Sequence, residues 1–438
     1  MRRLRPPRRL SVPAAGPTVL GTAASAVSAA TTLVIARGIG AAAFGHFTVV
    51  LSIALIVTIG MQLSLHYVML QELPRGDPAR HRAMMATALL STLVLGGGLT
   101  VAGALAAPWL APLVGVDAGA LASGLVLAFA MTLNHLTESF LRGRRRFALV
   151  ARLKAVIAVA YLGGASWCLL GAGITDPDFY LAALTGTYAG FALAALAAVR
   201  IPPRAWTGAW SAAEARAQYR LGAYVTVIAA LTGVLFGLDV IFLNHWADRA
   251  DVGVYSIYNG FPKRLLGVVF TDGIGLALLP ALAVADTRAV LRRLVRLAPL
   301  VAAGTALVAF AASTVLFPLL GGEYPYSLVL MGLSAAGIGL HAVFNLYSVA
   351  LSMDGLRGAR VLIACLAVAT PAALALQAAC IARWGLHGGL AGFALGNLVP
   401  VAAVIAVAAR VYRHRDGGGD GGGGAPAAPP APALEKAP

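Results

Sequence analysis

The sequence predicts an all-α integral membrane protein with about twelve transmembrane helices and both ends on the cytoplasmic side. Apolar residues make up 59% of the 438 positions and charged residues 11%, with a mean hydropathy of +0.83. Apolar runs of bilayer-spanning length recur along the whole chain, and cations gather in alternate gaps between these runs. Together these observations exclude an ordinary soluble domain.

Each of the twelve runs is at least as long as the roughly 20 residues that a helix needs to cross the hydrocarbon core. The first run follows a basic segment and extends to Arg37 without a persuasive cleavage site, so we interpret it as a membrane helix rather than a signal peptide. The runs lie at 17–39, 44–67, 84–107, 119–140, 148–172, 178–200, 221–246, 252–284, 296–318, 327–352, 359–382 and 387–409.

The distribution of cations predicts the orientation. Most of the 33 lysines and arginines lie at the two termini and in alternate gaps, whereas the opposite gaps hold only Arg37, Arg249 and Arg383. Cytoplasmic loops carry the excess of positive charge, so the poorer side is predicted to face outward. The net charge of +16 therefore reports topology and not a nucleic-acid partner. We expect a multi-pass protein of a bacterial-type plasma membrane.

A weak internal repeat predicts two similar halves. The segment AAAFGHFTVV from Ala41 resembles RADVGVYSIY from Arg249, with Gly45 matching Gly253 at an offset of 208 residues. Each segment opens the second helix of a six-helix block, and an even number of helices gives both blocks the same orientation. We therefore predict two six-helix bundles, related by a pseudo-two-fold axis along the membrane normal, with a cleft between them.

Four regions follow from this division. A basic cytoplasmic segment occupies 1–16, the first six-helix lobe 17–210, and the second lobe 211–413. The remaining residues, 414–438, are rich in Gly, Ala and Pro and are predicted to form a disordered cytoplasmic tail.

Six motifs, in order along most of the chain, carry a resemblance to a known family. They are ARGIGAAAFGHFTVV, FLRGRRRFALVARL, LDVIFLNHWADRADVGVYSIYNG, LLPALA, LFPLLGGEYPYS and WGLHGGLAG. In these motifs the chain resembles the polysaccharide-repeat flippases, the Wzx-like members of the multidrug/oligosaccharidyl-lipid/polysaccharide exporter superfamily.

The resemblance implies a fold and a function. Proteins of this family have two six-helix lobes around a central cavity, and they turn an undecaprenyl-diphosphate-linked oligosaccharide from the cytoplasmic to the outer leaflet. The expected partners are this lipid-linked cargo, membrane lipids, and a glycan polymerase or glycosyltransferases of the same pathway. The chain is slightly short and has few acids near the predicted cavity, which leaves ion coupling open.

Lys263 and Arg264 are the strongest candidates for binding the cargo. They lie about twelve residues into the eighth run, roughly 18 Å along a helix, and charge at that depth is costly. In a regular helix Lys263 shares a stripe with Ser256, Asn259, Gly260 and Gly267, whereas Arg264 flanks it. Two interpretations stay open: contact with the cargo, or an ion pair with Asp239 on the preceding antiparallel helix.

Other polar residues are weaker candidates. Arg37, at the outward end of the first helix, is predicted either to contact the headgroup on release or to reach the outer interface by snorkelling. His135 and Glu138, at the inward end of the fourth helix, and Asp272 are candidates for ion coupling, although a helix-end or packing role is the preferred interpretation. The basic run from Arg142 is suited to anionic headgroups or to fixing topology.

Three other functions compete with the flippase. A drug or cation exporter of the same superfamily needs buried acids, and only Asp239 and Asp272 lie deep in the predicted helices. A membrane glycan polymerase or ligase needs a sizeable outward loop, and a non-transporting scaffold has no distinguishing signal. The cysteines Cys168, Cys365 and Cys380 lack any paired ligand spacing, so we expect no metal. The sequence also shows no nucleophile or paired-carboxylate constellation, so we expect no cofactor and no enzymatic activity.

Overall fold

The computed structural model describes residues 15–74, 78–200, 210–263 and 287–413. All regular structure in these ranges is helical. The first seven helices are α1 Ala15–Ile39, α2 Ala41–Gln62, α3 Leu65–Glu72, α4 Pro78–Val114, α5 Ala118–Gly143, α6 Phe147–Leu170 and α7 Pro177–Val199. The others are α8 Ala212–Trp246, α9 Arg249–Tyr255 with a π-helical continuation Ser256–Gly260, α10 Thr287–Leu320, α11 Leu328–Met353 and α12 Gly355–Arg413.

Ten helices of the described ranges are long and apolar enough to cross a membrane. The 59-residue α12 contains a break at Gly385, whose φ of 53° and ψ of −125° favour glycine, and the predicted runs 359–382 and 387–409 lie on either side of it. The predicted run 252–284 is described only as far as Lys263. The prediction of an all-α, multi-pass membrane protein is confirmed.

The second predicted run, 44–67, is not one helix. It divides at Leu63 and Ser64, whose φ angles of 41° and 55° lie in the left-handed region. The Leu63 N–H donates to the carbonyl of Ile59 and ends α2, and α3 then begins at Leu65. The apolar pattern runs through this break unchanged, so it contains no signal for the interruption.

Glycines allow the two halves of the chain to approach closely along α2 and α8. A Cβ at Gly222 would lie 2.8 Å from the Leu63 carbonyl oxygen, and one at Gly233 would lie 2.1 Å from the side chain of Ile59. A side chain at Gly222 would meet backbone, which cannot move aside, whereas one at Gly233 would require the Ile59 side chain to shift. Helices in lipid associate through such small residues, which let backbones pack directly.

The matched glycines of the sequence repeat meet each other across the interface. A Cβ at Gly45 would lie 2.0 Å from the carbonyl oxygen of Arg249, and a Cβ at Gly253 would lie 2.0 Å from the carbonyl oxygen of Ala41. Ala41 and Arg249 are themselves equivalent in the repeat, so the contact is reciprocal. This is the geometry that a two-fold axis produces where equivalent segments meet.

Side chains from the loop between α10 and α11 join the halves at the end predicted to face outward. The Ala41 backbone N–H, at the start of α2, donates to Glu323 Oε2 at 3.0 Å. The neighbouring Tyr324 hydroxyl donates to the Ala36 carbonyl of α1 at 2.8 Å. A carboxylate at a helix start satisfies unpaired N–H groups and matches the helix dipole. The two lobes are therefore clasped at this end.

Candidate functional site

A buried carboxylate organises the polar centre of the second lobe. Asp239 on α8 is 1% exposed, and its Oδ2 accepts hydrogen bonds from three side chains of the next helix. Tyr255 Oη donates at 2.6 Å, Asn259 Nδ2 at 2.9 Å and Lys263 Nζ at 3.1 Å. Lys263 Nζ also donates to the Phe236 carbonyl at 3.3 Å. Such a charge is retained in a membrane interior only because it is paired and hydrogen-bonded.

A local widening of the helix brings these three donors to one oxygen. Residues Ser256–Gly260 form a π turn, and Pro262 follows it. Proline has no N–H, so the carbonyl of Tyr258, four residues earlier, loses its helical donor. The Ser334 hydroxyl of α11 donates to this carbonyl instead, at 2.5 Å. Single π turns of this kind are frequent at functional sites.

An aromatic ring of α12 packs against the Lys263 ammonium. Its Nζ lies 4.3 Å from the centroid of the Phe393 ring on α12, within the range of a cation–π contact. His341 of α11 packs edge-on against Phe236 at 4.4 Å and lies 3.2 Å from the amide oxygen of Asn397. Sequence reasoning did not find Phe393 or Asn397 because each sits within an apolar run with no local pattern that points to Lys263.

Of the two interpretations of Lys263, the ion pair with Asp239 is present in the structure. The pair does not bury the lysine fully, since 19% of the Lys263 side chain is exposed against 1% for Asp239. Both open interpretations therefore remain compatible with the geometry. Arg264 and Asp272 lie outside the described residues.

A cavity of about 730 Å³ lies inside the first lobe. Leu55 on its wall is 49% exposed. The adjacent Ile56 contacts Gly237 of the second lobe, so the exposed wall lies beside the interface between lobes. The polar side chains that line the cavity are Ser25, Ser28, Thr32, His66, Asn134, His135, Glu138, Ser139, Arg142, Lys154, Tyr161, Thr187 and Tyr188.

Glu138 pairs with two cations in this cavity. Its Oε1 lies 2.6 Å from Arg142 Nη2, one turn along α5, and 2.8 Å from Lys154 Nζ on α6. The Glu138 side chain is 10% exposed, whereas each cation keeps 30% of its side chain exposed. The cluster carries one negative and two positive charges. Lys154 was not singled out as a site residue from the sequence, because it sits at the end of a basic run that topology alone explains.

The predicted coupling residue His135 has a different partner. Its Nδ1 lies 2.6 Å from Gln62 Nε2 at the end of α2. The ring of His66 on α3 lies 6.2 Å away, and its buried Nδ1 finds no hydrogen-bond partner among the described residues. The structure thus brings His135 and Glu138 to the same cavity.

The arginines next to Arg142 hold the end of α7. Arg144 donates to the Val199 carbonyl at 3.0 Å, and Arg146 donates to the Ala198 carbonyl at 2.8 Å. Cations at a helix C-terminus satisfy its last carbonyls and match its dipole. This part of the basic run has a structural role in addition to any role in topology.

Arg37 lies at the clasped end of the molecule. Its side chain is exposed and donates to the Leu319 carbonyl at the end of α10, at 3.2 Å. It therefore links the two lobes.

Comparison of the sequence with protein-family models gives no match, and comparison with curated proteins gives none. Solved structures do match. An inward-facing multidrug resistance transporter of the MATE family, from the MOP superfamily, is 13% identical with a TM-score of 0.63, over 90% of this chain and 98% of its own. The lipid II flippase MurJ, in an inward closed conformation, is 10% identical with a TM-score of 0.60, over 88% and 86%.

A third match is a MOP-superfamily transporter from Pyrococcus furiosus, 14% identical with a TM-score of 0.53, over 91% of this chain and 94% of its own. At these identities the likeness shows the fold: the chain has the fold of MOP-superfamily transporters. These matches support the predicted transporter fold.

Proposed function

We propose that this protein is a flippase that moves a lipid-diphosphate-linked oligosaccharide from the inner to the outer leaflet of a bacterial-type plasma membrane. The resemblance of its motifs to the polysaccharide-repeat flippases and its fold likeness to transporters that include a lipid II flippase support this proposal. Its partners are then the lipid-linked glycan, membrane lipids, and polymerases or glycosyltransferases of the same pathway.

The charge balance of the buried polar groups carries the proposal. Asp239 is neutralised by Lys263, and Glu138 is shared between Arg142 and Lys154. A cavity with more cations than carboxylates attracts an anionic cargo, and a diphosphate is such an anion. A cationic drug would instead need a carboxylate that no internal cation already occupies.

The transport cycle follows from the two lobes and the clasp. With both termini cytoplasmic, the clasped end faces outward, and the cargo headgroup binds from the cytoplasmic leaflet. Rocking of the lobes about their interface would then open the clasped end for release. In this cycle Lys263, Asn259, Asp239, Arg264 and Arg37 are the cargo-contacting candidates. His135, Glu138 and Asp272 are the candidates for ion coupling, which gives the cycle direction.

Replacing Lys263 and Arg264 together by alanine tests the proposal. A deletion strain expressing Lys263→Ala with Arg264→Ala should lose glycan export and accumulate the lipid-linked oligosaccharide on the cytoplasmic face. The amount of folded protein in the membrane should stay near the wild-type level. Normal export by this variant would contradict the proposed role of the two cations.

A second variant separates cargo binding from structural pairing. The double change Asp239→Asn with Lys263→Met removes both charges of the pair, so neither partner is left as an unpaired ion. If the pair were only structural, this variant would export normally. If Lys263 contacts the cargo, export should fall at least tenfold while the protein stays folded.

The drug exporter is the second candidate, because a MATE transporter is among the solved structures that match. Efflux of a fluorescent cationic dye from cells that express the protein distinguishes the two functions. The flippase proposal predicts no dye efflux above the vector control. Dye efflux without any effect on glycan export would favour the exporter.

A further inference from the structure

The cavity of the first lobe holds two cations that are placed to bind an anion from outside the protein. Arg142 and Lys154 come from different helices and converge on a single oxygen, Glu138 Oε1. Both keep part of their side chains exposed in the cavity, and hydroxyl groups of Ser25, Ser28 and other residues line its walls.

The depth of this cluster matches that of a lipid headgroup. Glu138 lies five residues before the end of α5, and Lys154 lies seven residues after the start of α6. At 1.5 Å per residue, the cluster is about 8–10 Å from the helix ends that are predicted to face the cytoplasm. The polar headgroup region of a bilayer leaflet extends over a similar depth.

We propose that Arg142 and Lys154 form a binding site for the phosphate groups of a lipid-linked diphosphate, and that Glu138 is an internal competitor that this diphosphate displaces. The inference rests on the proposed function, since it assigns a site to the same cargo. Two cations that share one carboxylate oxygen are spaced to share a phosphate oxygen, and arginine and lysine both bind phosphates well.

The competition follows from charge. A partly buried ion pair contributes little net free energy, because desolvation offsets most of its attraction. A diphosphate carries more negative charge than one carboxylate and offers more acceptor oxygens, so it gains more from the same two cations. When the cargo leaves, Glu138 pairs with both cations again and prevents them from retaining a second anion.

Binding of farnesyl diphosphate to the purified protein tests the site. Glu138→Gln, which keeps the shape and removes the competitor, should bind farnesyl diphosphate at least fivefold more tightly than the wild type. Lys154→Gln should weaken binding at least tenfold. Arg152→Gln is the matched control, because Arg152 lies on the same helix, is exposed and does not line the cavity. It should bind as the wild type does.

Two further probes identify the source of the phosphate. Inorganic pyrophosphate that displaces farnesyl diphosphate would show that the site recognises the diphosphate itself. Phosphatidylglycerol in nanodiscs that occupies the site while farnesyl diphosphate does not compete would overturn the proposal in favour of a structural lipid. Unchanged affinity in both Glu138→Gln and Lys154→Gln would also overturn it.

The outcomes distinguish this inference from the proposed function. Lys154-dependent binding together with normal glycan export in a strain lacking the protein would leave the anion site standing and remove the flippase assignment. If the Lys263 and Arg264 variant loses export, but changes at Glu138 and Lys154 leave farnesyl diphosphate binding unchanged, the flippase function is supported and this anion site is rejected.

Discussion

Asp117 determines where α5 begins, the helix that carries Glu138 and Arg142 at its other end. Its Oδ1 accepts a hydrogen bond from the Ala120 N–H at 2.8 Å, so it satisfies one of the unpaired donors of the first turn. The same hydrogen bond is the main cause that lowers the pKa of Asp117 below its usual value of 3.8. The ionised carboxylate is thus the form that stabilises the helix.

Replacing Asp117 by alanine should therefore lower the stability of the purified protein by about 1 kcal/mol at pH 7, the usual cost of a lost cap. A carboxylate with a lowered folded-state pKa contributes fully above its unfolded pKa and loses that contribution as the pH falls through its folded pKa. The difference between wild type and Asp117→Ala should shrink as the pH falls from 7 to 3 in thermal unfolding. A difference that grows on acidification would contradict this account.

At the residue scale, the sequence predicted the ion pair partners but not the whole site. Lys263 and Asp239 stand out because charge is rare in apolar runs, and Asn259 follows from helical spacing. The contact of Tyr255 with Asp239 does not follow from this spacing, because a regular α-helix places Tyr255 and Lys263, eight residues apart, about 80° from each other. The π turn changes that angle, and it depends on Pro262 together with Ser334 of a distant helix, a combination that no local pattern reveals.

The π turn of the α9 segment is an element-scale device that can be tested by a pair of changes. Ser334→Ala removes the donor to the Tyr258 carbonyl and should cost about 1–3 kcal/mol, the range for a buried group left unpaired. Pro262→Ala restores an N–H that can bond this carbonyl within the helix. The double variant should therefore recover much of the lost stability.

Unfolding of the single and double variants by denaturant measures this coupling, and an additive result would contradict it. Pro262→Ala also has a functional consequence, because a regular helix at this point lacks the π turn that directs Lys263 to Asp239. Pro262→Ala with Ser334→Ala should thus be stable but poor in glycan export.

The sequence predicted helix positions well where length and hydropathy determine the ends of a helix. It predicted them poorly where a change of backbone conformation ends the helix. The runs at 119–140 and 178–200 match α5 and α7 closely, since capping residues and charges limit both ends. The break at Leu63 and Ser64 was missed, because neither leucine nor serine is a residue type that indicates left-handed backbone. The break at Gly385 was easier to predict, since it falls in a glycine-rich gap between two predicted runs.

At the scale of the whole molecule, the reciprocal contact of Gly45 and Gly253 makes the two lobes interdependent. Any side chain at either position would meet a backbone carbonyl at 2.0 Å, which only a shift of one lobe relieves. Gly45→Ala and Gly253→Ala should each cost about 1–3 kcal/mol, as overpacking does, and should reduce export. Gly60→Ala is the matched control on α2, because a Cβ there meets nothing within 4 Å. Equal loss of export in all three variants would contradict a specific role for the contact.

The clasp at the predicted outward end should limit how far the lobes open there. Glu323→Gln removes the negative charge at the start of α2, and Tyr324→Phe removes the hydrogen bond to Ala36. Together they should shift the population toward an open outward end. Spin labels at Ala172→Cys and Ala382→Cys, with the three native cysteines replaced, report the separation of the lobes by pulsed electron resonance.

In this experiment the double clasp variant should show a larger share of long distances than the labelled parent. Each lost contact biases a two-state equilibrium by its own free energy, so loss of about 1.4 kcal/mol changes the ratio of states about tenfold. If the reciprocal glycine contact is the pivot, the lobes of a Gly45→Ala protein no longer reach the clasped state. The clasp variants should then cause no further shift toward long distances when Gly45→Ala is also present. If the distance distribution is the same with and without the changes at Glu323 and Tyr324, the packing of α2 against α8 and α9, and not the clasp, holds the outward end closed.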